Sequence, residues 1–250
     1  KYALCAGLGY RPEEFQAMGV EMRQRVGRLT EGVEGIKRLW SEDNVTHHGK
    51  HFHLDNVTAS VKPQQTPRPP IWLGGDVEAS VRRAARIADA WCVAPTLSTE
   101  TLLSYLDVFR EERRNSGQSE DVQCPVIREC FVGRDATHAQ EVSRGPLLFK
   151  YRAYASWGQG ETTEGDFDSA YDDFAKDRFL IGDAAQVKDE ILHLRGNCAN
   201  RPHPVACAMA GTGSPRDAWQ YRPHRQDYCG FELRLPLTWR LLITSPWLMC

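Results

Sequence analysis

The alternation of short apolar runs with stretches of helical periodicity constrains the fold of this chain more than any other feature. Each apolar run is long enough for a buried strand, and the segments between runs carry apolar residues at intervals of three and four, the spacing of one helix face. Strands that alternate with helices form parallel sheets, because each helix returns the chain to the same end of the sheet. The sequence therefore predicts an α/β fold through about residue 195.

The predicted elements follow one another closely through this part of the chain. Strands are predicted at 2–8, 71–73, 90–94, 126–132 and RFLIG, and helices at about 21–40, 77–88, 99–115, 135–157 and 184–194. The strands from 2–8 to 126–132 are predicted to lie side by side in one parallel sheet. A hairpin is predicted about Gly49, and the acidic segment QGETTEGDFDSAYDD is predicted to be a loop.

The last segment of the chain, 196–250, departs from this pattern. It contains no lysine, but it holds six of the 14 prolines, four of the 8 cysteines and three of the 7 tryptophans, without helical or strand periodicity. Such a composition is typical of GC-rich DNA translated in a shifted frame, and a genuine accessory tail is the alternative. We predict a domain at 1–195, followed by an atypical tail at 196–250 that is frameshifted or disordered.

Charge and composition argue against several classes of partner. The formal net charge is -2 and 41% of residues are hydrophobic, so the chain has a sizeable core but no basic surface for nucleic acid or an anionic membrane. Its apolar stretches are shorter than a membrane span. Eight irregularly spaced cysteines in a long chain favour reduced thiols, and no signal peptide is visible, so we expect a cytoplasmic protein.

Two glycine-containing segments follow predicted strands. Gly74 and Gly75 stand between a strand and a helix in IWLGGDVEAS, and Gly7 and Gly9 stand at the end of the first strand in CAGLGY. A glycine there lets a ligand approach the backbone, and the N-terminus of a following helix favours a phosphate. The alternative is structural in both cases: a plain strand-to-helix turn, or glycines that serve packing at a buried strand end.

Several side chains near these glycines are candidates for the same site. Ser80, early in the helix, and Tyr10 carry hydroxyl groups that suit a phosphate. Ala94 ends the strand 90–94 on the presumed ligand face and is a candidate for the wall of a ring pocket. Tyr154 and Trp157 are either core residues or pocket wall, and the sequence leaves both interpretations open.

Other chemistry-bearing residues have simpler explanations. Four histidines surround the predicted hairpin turn, but no cysteine or carboxylate completes a set at ligand spacing, so no metal site is predicted. These histidines are His47, His48, His51 and His53. Cys92 lies on a predicted strand and is predicted to be buried and inert, because free cysteine is among the most buried residue types.

Several motifs, in this order, resemble the luciferase-like monooxygenases. They are LCAGLGYRPEEFQAMGVEMRQRVGRLTEGVEGIKRLW, HHGKHFHLDNV, PRPPIWLGGDVEASVRRAARIADAWCV, KYRAYASWGQ and RFLIGDAAQVKDEI, and together they span about residues 1–195. The resemblance implies a (β/α)₈ barrel with its active site at the carboxyl ends of the strands. It also implies a fragment, because the family's first three βα units would precede the strand at Lys1. In this chain the tail replaces the family's usual closing strand and helix.

The resemblance also implies a cofactor and the residues that bind it. The family uses the turn after 71–73 for the flavin phosphate, and its cofactor is a flavin or a deazaflavin, which carries the chemistry. The residues expected to bind the cofactor are Gly7, Gly9, Tyr10, Gly74, Gly75, Ser80 and Ala94. No catalytic residue is assigned, because no complete acid–base constellation is visible.

The expected function is that of a flavin-dependent monooxygenase that uses reduced flavin (FMN) and O₂ on a small organic substrate. A flavin reductase and a second copy of the chain are candidate partners, whereas nucleic acid and membranes are not expected. The alternatives are hydride transfer with the deazaflavin coenzyme F420, and a non-enzyme: a barrel fragment or partner subunit that binds no flavin. Flavin absorbance on the purified chain discriminates between these classes.

Overall fold

The structure, a computed structural model, describes residues 2–159, 167–199 and 210–211. In chain order its elements are β1 (Leu4–Ala6), α1 (Pro12–Ala17), a 3₁₀ helix (Met22–Gln24), α2 (Arg25–Ser41), β2 (Val45–His48), β3 (His53–Val57), β4 (Ile71–Gly75), α3 (Glu78–Ile87), β5 (Ala90–Val93), α4 (Thr99–Asn115), β6 (Glu129–Val132), α5 (Ala136–Ser156), α6 (Phe167–Ala175), β7 (Leu180–Gly182), α7 (Ala184–Ala199) and β8 (Ala210–Gly211). The predicted α/β class is confirmed.

Two parallel sheets form the centre of the fold. The first has the strand order β1-β4-β5 and the second has the order β7-β6-β8. One parallel bridge, between Val93 and Val126, joins the chain ahead of β6 to the first sheet. The prediction of a single sheet therefore holds for three strands, whereas most of the strand predicted at 126–132 belongs to the second sheet. Parallel strands of a barrel are staggered, so this segment meets β5 with its first residue and β7 with its last residues.

The main hydrophobic core lies between the first sheet and its helices. β4 turns Ile71 and Leu73 toward α3 and α4, and both side chains are buried. Trp91 of β5 lies in the same core, with its ring centroid 6.5 Å from that of Phe109 on α4. Helices predicted from the three–four spacing at 77–88 and 99–115 are confirmed to within one residue, because their apolar positions face this core.

The predicted hairpin about Gly49 is confirmed, since β2 and β3 pair antiparallel. Glu31 of α2 anchors it: its carboxylate accepts hydrogen bonds from the backbone N–H groups of His51 and Phe52 and lies 3.1 Å from His47 Nε2. A Cβ at position 49 would overlap this carboxylate. Gly49 is therefore more than a turn residue, because its missing side chain lets Glu31 reach the turn.

Asp89 fixes the start of β4. Its carboxylate accepts two hydrogen bonds from the Arg68 guanidinium, at 2.6 and 3.0 Å, and a third from the backbone N–H of Ile71 at 2.6 Å. Burial raises the pKa of Asp89, but these hydrogen bonds outweigh it, so the net pKa lies below its usual value. The ionised carboxylate therefore contributes to folding.

We expect Asp89→Asn to lower the free energy of unfolding by about 1–2 kcal/mol near neutral pH, the scale of a partly exposed charge-assisted hydrogen bond. Because the folded pKa is lowered, this stabilisation is present above the unfolded pKa of about 3.9 and is lost as the pH falls through the folded value. Urea denaturation at about pH 7 and pH 3 measures the difference between parent and variant, which should shrink at the lower pH. Asp55→Asn, at an exposed position on β3, is the control, and an equal effect of the two substitutions would contradict the anchoring role.

Part of the predicted acidic loop is a helix. α6 begins at Phe167, inside that segment, and buries Phe167, Tyr171 and Phe174 against Tyr151 of α5. These aromatic residues recur at intervals of four and three, which is helical spacing, but the acidic residues between them concealed the pattern. The prediction of a loop is wrong for this part, and the residues at 160–166 lie outside the described residues.

The last described helix is longer than predicted. The helix predicted at 184–194 continues to Ala199, with Cys198 buried in the core of the first sheet. β8 then pairs with β6, so a two-residue strand lies within the segment predicted to be the tail. The tail prediction otherwise concerns 200–209 and 212–250, which lie outside the described residues. Among the helices of the described ranges, none combines the length and the apolar character needed to cross a bilayer.

Candidate functional site

The first sheet has two different faces because side chains alternate along each strand. The outer face lies against the helices and carries Leu4, Ala6, Ile71, Leu73, Gly75, Trp91 and Val93. The opposite face, here called the inner face, carries Cys5, Trp72, Gly74, Ala90 and Cys92, with Gly7 one step beyond β1. The carboxyl edge of the inner face is where ligands of parallel α/β enzymes bind.

Gly7 and Gly74 are neighbours at this carboxyl edge. Ala6 pairs with Leu73, so the next residues of the two parallel chains lie side by side. A Cβ built on Gly7 would meet no atom of the described residues within 4 Å, and one on Gly74 would meet just the Ala6 carbonyl oxygen at 3.8 Å. The two positions form a patch without side chains, the glycine floor, with open space above it.

Gly75 and Ser80 have a structural role at the junction of strand and helix. β4 runs through both glycines, two residues beyond the predicted strand at 71–73, and turns Gly75 to the outer face, where an added Cβ would overlap Ser80. Ser80 Oγ donates to the Val77 carbonyl oxygen at 2.5 Å, and Trp91 Nε1 donates to the Gly75 carbonyl oxygen at 2.9 Å. Packing thus accounts for both residues, and their contact with a phosphate stays a prediction.

Gly9 and Tyr10 connect the glycine floor to α5. Gly9 has φ of +71°, a conformation that favours glycine. The Tyr10 ring lies 6.4 Å from Tyr154 and 5.9 Å from Trp157, measured between ring centroids. We call these three residues the aromatic rim. Burial, followed by the neighbouring Tyr154, raises the pKa of Tyr10, so its hydroxyl remains a hydrogen-bond donor.

A polar cluster that the sequence analysis missed lies beside the aromatic rim. Glu129 of β6 is 2% exposed, and its Oε1 accepts hydrogen bonds from Lys150 Nζ at 2.6 Å and from the Tyr151 hydroxyl at 3.0 Å. Lys150 Nζ also lies 5.7 Å from the centroid of the Tyr154 ring. Burial and the adjacent Glu129 raise the pKa of Tyr151, which stays protonated. The signal for this cluster was the motif KYRAYASWGQ, whose first two residues are Lys150 and Tyr151.

The remaining candidates occupy different parts of the fold. Ala94 follows β5, two residues after Cys92, and is half-buried, so its place in a pocket wall stays a prediction. The four histidines lie on or beside the hairpin, where His47 contacts Glu31. Within the described ranges, no group of three or more His, Cys, Asp or Glu residues could hold a metal ion.

The chain matches a known family over most of its length. A model of the family described as luciferase-like monooxygenase matches residues 3–201. The chain belongs to this family. The resemblance seen in the glycine-containing motifs is thereby confirmed, and the glycine floor is the carboxyl edge of a luciferase-like sheet.

Individual luciferase-like proteins resemble the chain over part of their length. An FMNH₂-dependent dimethylsulfone monooxygenase from Pseudomonas putida is 25% identical over 206 residues, which cover 75% of this chain and 56% of that protein. The solved structure of the monooxygenase RslO1 from Streptomyces bottropensis has a TM-score of 0.63 at 23% identity, over 81% of this chain and 60% of that one. An F420-dependent secondary alcohol dehydrogenase has a TM-score of 0.65 at 19% identity, over 84% and 64%. The chain therefore spans little more than half the length of such relatives, and the two structures support its luciferase-like barrel class.

Proposed function

We propose that the chain binds reduced FMN and, with O₂, oxygenates a small organic substrate. The observation that carries the proposal is the glycine floor, where Gly7 and Gly74 leave a patch of backbone without side chains beneath open space. A flat ring or a phosphate packs closely against backbone where no Cβ intervenes. The floor also lies at the strand end where parallel α/β enzymes bind their ligands.

The residues present fit such a cofactor in three respects. Gly7 and Gly74 would hold its flat or phosphorylated part, because the volume that a Cβ would fill is open at both positions. Tyr10 would donate a hydrogen bond from a hydroxyl that its surroundings keep protonated. Gly9 shapes the connecting loop. A direct bond from Ser80 to a phosphate would require its hydroxyl to turn away from Val77, so Ser80 enters the proposal chiefly as a residue that positions α3.

The aromatic rim and the polar cluster would control the surroundings of the cofactor. The rim residues Tyr10, Tyr154 and Trp157 present apolar surface that excludes water from one side of the site. Glu129 holds the Lys150 ammonium beside this rim, where the ammonium would offer an N–H donor to the cofactor while the pair as a whole stays neutral. A bound reduced flavin would supply the electrons for oxygen activation, while these residues position and shield it.

The second candidate is hydride transfer with the deazaflavin coenzyme F420. Its support is the structural likeness to an F420-dependent secondary alcohol dehydrogenase and the 37% identity, over 90 residues, to an F420-dependent glucose-6-phosphate dehydrogenase from Nakamurella multipartita. Both cofactors combine a planar ring with a phosphate, so the glycine floor alone does not favour one of them. A relative that covers more of this chain is FMN-dependent, which is why we propose FMN first.

Anaerobic titration of the purified chain with reduced FMN and with reduced F420, followed by tryptophan fluorescence, tests the proposal. We expect saturable binding of reduced FMN with a dissociation constant of about 1–100 μM, corresponding to about 5–8 kcal/mol. Binding of F420 at least about tenfold tighter would select the second candidate. Failure of both cofactors to bind a folded chain would support the non-enzyme alternative. A flavin reductase, a small organic substrate and a second copy of the chain remain the proposed partners.

A further inference from the structure

Two histidines stand directly opposite each other on the solvent face of the hairpin. His48 of β2 pairs in register with His53 of β3, and both side chains are exposed. Their ring centroids are 6.3 Å apart. His47, the neighbour of His48, is turned the other way, toward α2, where its Nε2 lies 3.1 Å from Glu31 Oε1. The hairpin thus presents one pair of imidazole rings to solvent and uses another histidine to contact α2.

The separation of the exposed pair is close to what a shared metal ion requires. An imidazole nitrogen binds a metal such as Zn²⁺ at about 2.0–2.1 Å, so two rings on one metal ion have centroids about 4.5–5.5 Å apart. The observed 6.3 Å exceeds this range by about 1 Å. Exposed side chains change rotamer within picoseconds to nanoseconds, so the rings can close this gap while the strands stay in place.

The turn that joins the two histidines is fixed by hydrogen bonds of its own. The backbone N–H of Gly49 donates to the Phe52 carbonyl oxygen at 3.0 Å. The Glu31 carboxylate accepts from the backbone N–H groups of His51 and Phe52. A metal ion would therefore meet two ligands whose backbone is already ordered, which lowers the entropy lost on binding.

We propose that His48 and His53 form a surface site for a divalent transition-metal cation of the Ni²⁺ or Cu²⁺ type. Each histidine supplies one imidazole nitrogen and water completes the coordination, because no set of three or more His, Cys, Asp or Glu residues suited to a metal ion occurs in the part of the chain that the structure describes. Tetragonal coordination by nitrogen and oxygen is typical of Cu²⁺ and Ni²⁺, whereas structural Zn²⁺ sites take four protein ligands and Ca²⁺ and Mg²⁺ take oxygen ligands.

The charges of the hairpin are compatible with a bound cation. Lys50 and Asp55, the charged residues within the hairpin, are exposed and opposite in sign, so they present no net positive charge. The site lies on a surface hairpin and needs neither flavin nor the glycine floor. This inference therefore stands apart from the proposed function.

Titration of the purified chain with Ni²⁺, followed by diethyl pyrocarbonate labelling and mass spectrometry, tests the site one histidine at a time. Ni²⁺ is the probe because, unlike Cu²⁺, it does not oxidise thiols. We expect His48 and His53 to be protected from labelling together, along one saturation curve with a dissociation constant below about 100 μM. His193, an exposed histidine on α7, is the internal control and should stay reactive.

Substitutions distinguish a shared metal ion from two separate contacts. His48→Ala and His53→Ala should each weaken Ni²⁺ binding at least about tenfold and leave the remaining histidine open to labelling, and the double variant should lose about as much as either single variant. His193→Ala should bind as the parent does. Urea denaturation checks that the variants, changed at exposed positions, remain folded. Absence of protection at about 1 mM Ni²⁺, or protection of one histidine that survives loss of the other, would overturn the proposal.

Discussion

Replacing Gly74 with valine is expected to reduce the affinity for reduced FMN by about a hundredfold or more, equivalent to about 2.7 kcal/mol. The side chain would stand on the inner face, in space where an added Cβ meets just one described atom, at 3.8 Å. The chain should stay folded, because valine suits a strand and the backbone at this position needs no positive φ. Fluorescence titration gives the affinity, and urea denaturation gives the stability.

Two other glycines make this experiment specific. Gly35→Ala on α2 is the matched control, since its Cβ would meet no described atom within 4 Å, and it should leave the affinity unchanged. Gly75→Val should instead destabilise the fold, because its side chain would overlap Ser80 on the outer face. Gly49 is unsuitable as a neutral position because Glu31 fills the space beside it. If Gly74→Val binds reduced FMN as tightly as the parent, the glycine floor is a packing feature and the proposed site is wrong.

Truncation of Trp91 to alanine is expected to lower the free energy of unfolding by about 3–5 kcal/mol, the usual cost of removing a large buried aromatic ring. Trp91 is fully buried, and its ring centroid lies 6.2 Å from Tyr105 and 6.5 Å from Phe109. The indole N–H also holds the Gly75 carbonyl oxygen at 2.9 Å. Urea denaturation measures the loss, which would be a large share of the stability of an ordinary domain.

Trp91→Phe separates packing from hydrogen bonding. It keeps an aromatic ring in the core but removes the N–H donor, so the half-buried Gly75 carbonyl oxygen loses its partner at a cost of about 1 kcal/mol. Trp157→Ala, at a rim residue that is 36% exposed, should cost less than either change. Equal losses for the alanine variants at the two tryptophans would show that Trp91 is not a core residue.

The spacing of apolar residues predicted those helices in which one face carries apolar side chains without interruption. α4 was predicted at its observed bounds because Leu102, Leu106 and Phe109 recur on one face and are all buried. α6 was missed because the aromatic residues that bury it alternate with aspartates, and a polar composition concealed the period. The sequence pattern could not predict that the strand at 126–132 is divided between two sheets. The pairing partners of a strand depend on the stagger of the barrel and not on local sequence.

The sequence indicated the segments that form the candidate site, but it did not indicate how their side chains are arranged in space. Glycines after apolar runs indicated a strand end as the candidate site, yet the pairing register decides that Gly74 faces inward and Gly75 outward. A shift by one residue would exchange their roles. The contact between Glu129 and Lys150 depends on how α5 lies across β6, which no local pattern specifies. Sequence thus indicated candidate residues such as the glycines but not Glu129, and tertiary packing determines which of them meet.

The contact between the Tyr10 and Trp157 rings has a consequence for the order in which the protein assembles. These rings are about 150 residues apart in the sequence, so their contact closes a very long loop. Long-range contacts form late, because the entropy of loop closure is lost before the contact stabilises the chain. During synthesis, the loop after β1 leaves the ribosome long before its aromatic partners on α5 exist. The surroundings of β1 are therefore completed by a helix that is made later, and a chain stopped before residue 150 would leave Tyr10 without the rim.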